Sequence, residues 1–200
     1  TLDSPILVGK MKDGSIIVGE HNITKSPKII EKVYYKDEVK VNPKVLTAIK
    51  EADLILISMG SLYTSIIPDL LSSELLQAID TCKAKIMYVC NMMTQPGETD
   101  DFKASDHLKV LNSYLGKKKI SVVIANNGPI PETMIKKYWK KEQKSPVILD
   151  KENIKDIELI DKDYVAVFDN VIRYQPDKLA LDIYGYLLEG GDDHVLYSKN

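Results

Sequence analysis

Cysteine, arginine and histidine are scarce in this chain, and each scarcity excludes something. There are two cysteines, Cys82 and Cys90, too few for a disulfide framework. Cys90 closes an apolar run and reads as a small core residue. His21, His107 and His194 are scattered, with no Cys/His cluster at zinc-ligand spacing. No apolar run approaches the roughly 20 residues of a membrane span. No signal-peptide pattern is present, so a cytoplasmic location is expected. The formal net charge of -2 implies no polyanion partner, which argues against nucleic acid. The basic clusters, Lys117 to Lys119 and Lys136-Lys137 with Lys140-Lys141, read as solvated faces. Glycine is sparse where nucleotide motifs need it: there is no Gly-Lys-Ser/Thr and no three-glycine dinucleotide fingerprint.

What is present is a rhythm of strand, loop and helix. Asp53–Ile57, Lys85–Cys90 and Ile120–Ala125 are continuously apolar, as parallel strands covered on both faces should be. Helices are expected near Ser65–Cys82 (broken around Ser72-Ser73), Ser105–Leu115 and Glu132–Lys141. The expected fold is α/β: a three-layer, Rossmann-like, doubly wound and mainly parallel sheet. Ahead of it, Asp13-Gly14 between two alternating runs predicts a β-hairpin, and Val33 to Tyr35 a further strand. Asn42-Pro43 opens a helix as N-cap and first-turn residue. Beyond Ser145, short strands are expected near Val147–Leu149 and Tyr164–Phe168, then a helix from Pro176. Residues 1–189 read as one domain and 190–200 as a loose tail.

Three strand ends carry polar loops. Open α/β sheets bind ligands at the carboxyl ends of their strands. After the first parallel strand come Ser58-Met59-Gly60-Ser61-Leu62-Tyr63-Thr64-Ser65, then a helix. Gly60 allows close backbone approach, and Ser61, Thr64 and Ser65 add hydroxyls, an arrangement suited to phosphate. Helix capping explains the same hydroxyls. After the second strand comes Asn91-Met92-Met93-Thr94-Gln95-Pro96-Gly97-Glu98-Thr99-Asp100, longer and more polar than a simple connector. After the third come Asn126-Asn127-Gly128-Pro129, for which turn chemistry is also sufficient.

The blocks Gly60 to Ser65, Cys90 to Asp100 and Ala104 to His107 together resemble the YvcK-like gluconeogenesis factors. These are a branch of the superfamily of CofD, 2-phospho-L-lactate transferase. Ser58-Met59 departs from the family's Gly-Pro before Gly-Ser, and Tyr174-Gln175 depart from its Arg-His-Asp motif before the last helix, of which Arg173 and the stretch Asp177 to Ala180 carry over. The resemblance implies a glycine-rich strand-turn-helix ahead of these residues, which they do not contain. It implies a regulator of cell shape and envelope synthesis during gluconeogenic growth, binding a nucleotide sugar of the UDP-N-acetylglucosamine kind. The alternative it carries is a phospholactate-type transferase using a nucleotide-activated donor. Mg²⁺ accompanying the nucleotide and a homodimer are both compatible with it.

The expected ligand and phosphate contacts are Gly60, Ser61, Tyr63, Thr64, Ser65, Asn91, Thr94, Gln95, Gly97, Glu98, Thr99, His107, Asn126 and Arg173. Glu98, Asp100 and Asp106 are the acids available to Mg²⁺. Arg173 stands out as the only arginine among 27 basic residues. A planar, forked donor in a lysine-rich chain suits phosphate or carboxylate, or a structural salt bridge. No nucleophile, base and orienter can be assembled convincingly. Cys90 with His107 is the nearest approach, and it lacks an acidic partner.

Overall fold

The computed structural model describes residues 2–188; the tail expected from residue 190 lies outside them. The chain opens with a three-stranded antiparallel sheet in the order β2-β1-β3. Its strands are β1 (Leu7–Met11), β2 (Ile16–Val18) and β3 (Ile30–Tyr35), with α1 (Glu20–Lys25) between the last two. The Asp13-Gly14 turn joins β1 to β2, as expected, with Gly14 at φ +84° where a side chain is disfavoured. Asn42 Oδ1 accepts from Lys44 N at 3.0 Å and starts α2 (Pro43–Glu51).

The main sheet follows: β4 (Leu54–Ile57), β5 (Lys85–Val89), β6 (Val122–Asn126) and β7 (Glu158–Lys162), all parallel and in sequential order. Helices α3 (Ser73–Thr81), α4 (Ala104–Tyr114) and α5 (Glu132–Glu142) lie between them in sequence. A two-stranded hairpin, β8 (Val165–Phe168) with β9 (Val171–Tyr174), leads to α6 (Pro176–Leu188). The fold is thus mixed α/β and Rossmann-like, with antiparallel additions. No helix among the described residues is long and apolar enough to cross a membrane.

Alternation along β5 divides the interior into two layers. Ile86, Tyr88 and Cys90 face one side and pack with Leu108 and Leu111 of α4, Ile79 of α3 and the antiparallel sheet. Met87 and Val89 face the other and meet Tyr164, Tyr174 and Tyr186. Both faces of β5 and β6 are covered, which is why their sequences are continuously apolar.

Three local departures from the sequence reading have physical causes. The expected helix from Ser65 is three pieces: a wide helical turn Leu62–Ile66, a tight turn Ile67–Leu70, then α3. The break falls where expected, because Ser72 Oγ accepts from Leu75 N and restarts the helix. The helix expected at Ser105–Leu115 runs Ala104–Tyr114, so Ser105 sits in its first turn. Asp150 supplies the capping oxygens there, accepting from Ser105 N at 3.0 Å and Ser105 Oγ at 2.7 Å. Val147–Leu149 is not a strand. That stretch is bridged only through Pro146 to Met93 and Ile148 to Lys103, since its neighbours are loops rather than a sheet edge.

Candidate functional site

The loops after β4 and β5 meet and bond to each other. Asn91 Nδ2 donates to the Gly60 carbonyl at 2.8 Å, and Ser61 Oγ donates to Gln95 Oε1 at 2.7 Å. Glu98 is buried at the centre of the contact. Its Oε2 accepts from Tyr63 N at 2.9 Å, and its Oε1 accepts from Thr64 Oγ1 at 2.7 Å and Gln95 Nε2 at 2.8 Å. Burial raises the Glu98 carboxyl above its ordinary value, against the lowering effect of the Thr64 and Tyr63 bonds. Gln95 N donates to Thr99 Oγ1, and Gly97 N to Asp100 Oδ2, so the loop is also tied internally. Gly97 has φ +81°, and a Cβ there would come within 2.5 Å of the Ser26 carbonyl oxygen. Only glycine lets this loop lie against the α1–β3 connection.

Beside this junction lies a cleft of about 470 Å³. Gly60, Asn91, Thr94, Gln95 and Arg173 line it. Tyr138 of α5, Lys144, and the apolar Met59, Met92, Met93, Ile172, Tyr174 and Leu179 complete it with Pro176. Among the described residues no aspartate or glutamate lines it, although acids outnumber bases in the chain, 29 to 27.

The far wall is pinned to the strand ends. Thr94 N donates to the Ser145 carbonyl at 2.7 Å and Thr94 Oγ1 accepts from Ser145 N at 2.9 Å, which brings Lys144 to the rim. Tyr174 OH donates to the Cys90 carbonyl at 2.6 Å, and Tyr138 OH accepts from Ile172 N at 3.1 Å. These two bonds hold β9 on both sides of Arg173. The guanidinium is exposed and makes no hydrogen bond or ion pair with the described residues. Arg173 lies on β9, just ahead of the last helix rather than on it.

The other expected contacts lie elsewhere. Ser61 stands behind Gln95; Tyr63, Thr64 and Glu98 satisfy one another; Ser65 is exposed on the outside of the turn. Gly97 and Thr99 shape the loop. Asn126 is committed to its own turn and to the β7–β8 connection, with Oδ1 accepting from Gly128 N and Tyr164 N, and Nδ2 donating to the Gly128 carbonyl. His107 is 0% exposed, with Nδ1 3.0 Å from the Lys103 carbonyl and its ring between Tyr88 and Phe102. The sequence reading missed Tyr138, Lys144 and the apolar lining. Met92 and Met93 stood inside the motif it singled out, whereas Tyr138 carried no local signal.

The Cys90 thiol is buried and its pKa is pushed up to about 12, so the nucleophilic thiolate is absent near neutrality. Burial lowers the His107 imidazole below its ordinary value, and the ring does not line the cleft. The acids considered for Mg²⁺ all accept local bonds: Glu98 as above, Asp100 from Gly97 N, Asp106 from Lys103 N. No group of three His, Cys, Asp or Glu side chains is placed to hold a metal among the described residues.

Comparison with known proteins identifies the family. The family model of 2-phospho-L-lactate transferase CofD matches residues 1–165. The gluconeogenesis factor of Bacillus subtilis is 38% identical over 180 residues, covering 88% of this chain and 56% of that protein. The gluconeogenesis factor of Halalkalibacterium halodurans is also 38% identical over 180 residues, with the same shares of 88% and 56%. A crystal structure of a Bacillus halodurans protein superimposes with a TM-score of 0.86 at 38% identity, over 90% of this chain and 59% of that one. The chain therefore spans a little over half the length of these relatives. It belongs to the CofD family, and within it to the gluconeogenesis-factor branch.

Proposed function

We propose that this chain forms the ligand-binding part of a gluconeogenesis-factor-type regulator. The cleft takes a nucleotide sugar of the UDP-N-acetylglucosamine kind, and the whole protein serves cell shape and envelope synthesis during gluconeogenic growth in the cytoplasm. The observation that carries the reading is the charge of the cleft: Arg173 and Lys144 on its rim, two side-chain amides inside, and no carboxylate among the described lining residues. Such a wall attracts a diphosphate and does not repel it. The apolar lining, from Met92 to Leu179, gives a base or acetamido methyl a surface to cover. Among the described lining residues none forms a nucleophile–base pair, which favours binding over turnover.

Calorimetry of the full-length protein against UDP-N-acetylglucosamine, with and without Mg²⁺, tests the reading. Arg173→Ala is expected to weaken binding by about ten- to a hundred-fold, the worth of a hydrogen bond to a charged group. Arg173→Lys should recover only part, because an ammonium cannot fork across two oxygens. Nucleotide release at an enzymatic rate by the parent protein would replace this reading with the transferase that the family model describes. A parent-like affinity for Arg173→Ala would remove the cleft from consideration.

A further inference from the structure

Two side-chain amides line the cleft, and each has its orientation fixed by what it touches on the protein side. Asn91 Nδ2 donates to the Gly60 carbonyl at 2.8 Å, and Asn91 Oδ1 accepts from Tyr88 OH at 3.0 Å. Turned over, Asn91 would set its oxygen against the Gly60 carbonyl oxygen. Gln95 is held at both ends: Oε1 accepts from Ser61 Oγ at 2.7 Å, and Nε2 donates to Glu98 Oε1 at 2.8 Å. Turned over, its oxygen would meet a carboxylate oxygen. Glu98 cannot swing away, because it is 3% exposed and bound by Tyr63 N and Thr64 Oγ1. An amide nitrogen carries two hydrogens. One is spent in each residue, and the second has no partner among the described residues.

We propose that Glu98 is a positioning residue for this cleft: it holds Gln95 with its nitrogen as the donor end. Gln95, Asn91 and Arg173 then meet the ligand as donors, and the group they take is an acceptor-only anion of the diphosphate class. Sugar hydroxyls and bases, which both donate and accept, are left to the rest of the cleft. The assignment rests on the ligand-binding reading above.

Glu98→Gln makes the argument testable without changing shape. The new amide must keep its oxygen on Tyr63 N, because a backbone N–H cannot accept. Its nitrogen then stands where Glu98 Oε1 stood and faces Gln95. Gln95 satisfies that nitrogen only by turning over, which presents a lone pair to the ligand where an N–H had been.

The experiment is calorimetry of the full-length protein with inorganic pyrophosphate and with UDP-N-acetylglucosamine as probes. Glu98→Gln and Gln95→Ala are each expected to weaken both probes by about tenfold, and the double variant no further than Gln95→Ala alone. That non-additivity separates aiming Gln95 from merely stabilising the loop. If Glu98→Gln fails to fold, Ser61→Ala releases the other end of Gln95 and should weaken both probes in the same direction. Unchanged affinity in the single Glu98 variant, or additive losses in the double, would overturn the proposal. Binding of pyrophosphate but not of the nucleotide sugar, with the same coupling, would support it while removing the nucleotide-sugar reading. Tight nucleotide-sugar binding indifferent to Gln95→Ala would do the reverse, and a parent protein that binds neither probe would overturn both.

Discussion

His107 illustrates how a residue can be legible as special and still be misplaced. Its position at the start of a helix, beside an acid, suggests a group turned toward ligand. The structure instead buries it against Tyr88 and Phe102, with Nδ1–H donating to the Lys103 carbonyl. Nε2 has no partner there. Burial lowers its pKa, so the fold holds a neutral ring. The sign of the pH effect follows. The unfolded imidazole titrates near its ordinary value of about 6.5, so below that pH the unfolded state binds a proton that the folded state refuses. Stability from this source is complete above 6.5 and falls as pH drops toward the lowered folded value. The slope reaches at most about 1.4 kcal/mol per pH unit. Urea unfolding at pH 7.5, 6.5 and 5.5 should show this slope in the parent and its loss in His107→Phe. Equal slopes in the two proteins would place the titration elsewhere. Arg173 is the opposite case: its singularity is visible in composition alone, and it lines the cleft with its guanidinium unpaired by the described residues.

At the scale of elements, the strands that could be read were those buried on both faces. β5 and β6 are uninterrupted apolar runs because helices or tyrosines cover each side. β7, Glu158-Leu159-Ile160-Asp161-Lys162, went unread because an edge strand tolerates charge along its length. β9 was invisible for a similar reason, being four residues long and half exposed. Yet β9 carries Arg173, and its position depends on a residue with no sequence signal. Tyr138 OH accepts from Ile172 N across 34 positions in the chain. Tyr138→Phe deletes that acceptor and leaves a part-buried N–H unsatisfied, at a cost of about 1–3 kcal/mol. The cost should fall on β9 first. Amide exchange at Ile172 and Arg173 should accelerate well beyond that in β5 and β6. Ligand affinity should fall with it, since Arg173 loses its fixed approach. Uniform acceleration across the main sheet would instead assign Tyr138 to global stability.

The whole molecule sets the field in which the cleft works. Net charge is -2, with 29 acids against 27 bases, so these residues as a whole do not draw an anion from a distance. In the cleft, Arg173 and Lys144 stand without a carboxylate among the described lining residues. Lys144 is itself paired with Glu142 at 2.9 Å, leaving Arg173 as the stronger local charge. These two scales respond differently to salt. The Debye length falls from about 30 Å at 0.01 M to about 10 Å at 0.1 M, which removes long-range repulsion but spares contacts of a few ångströms. It reaches about 3 Å only near 1 M, where a partly exposed guanidinium–phosphate contact also weakens. Pyrophosphate affinity is therefore expected to stay nearly level, or rise slightly, between 0.01 and 0.1 M, and to fall only toward 1 M. Calorimetry at these three ionic strengths checks it, with Arg173→Ala flattening the fall at high salt. A steep loss already between 0.01 and 0.1 M would mean that binding draws on a broad basic surface, as on Lys117 to Lys119, and not on the charge placed at the end of β9.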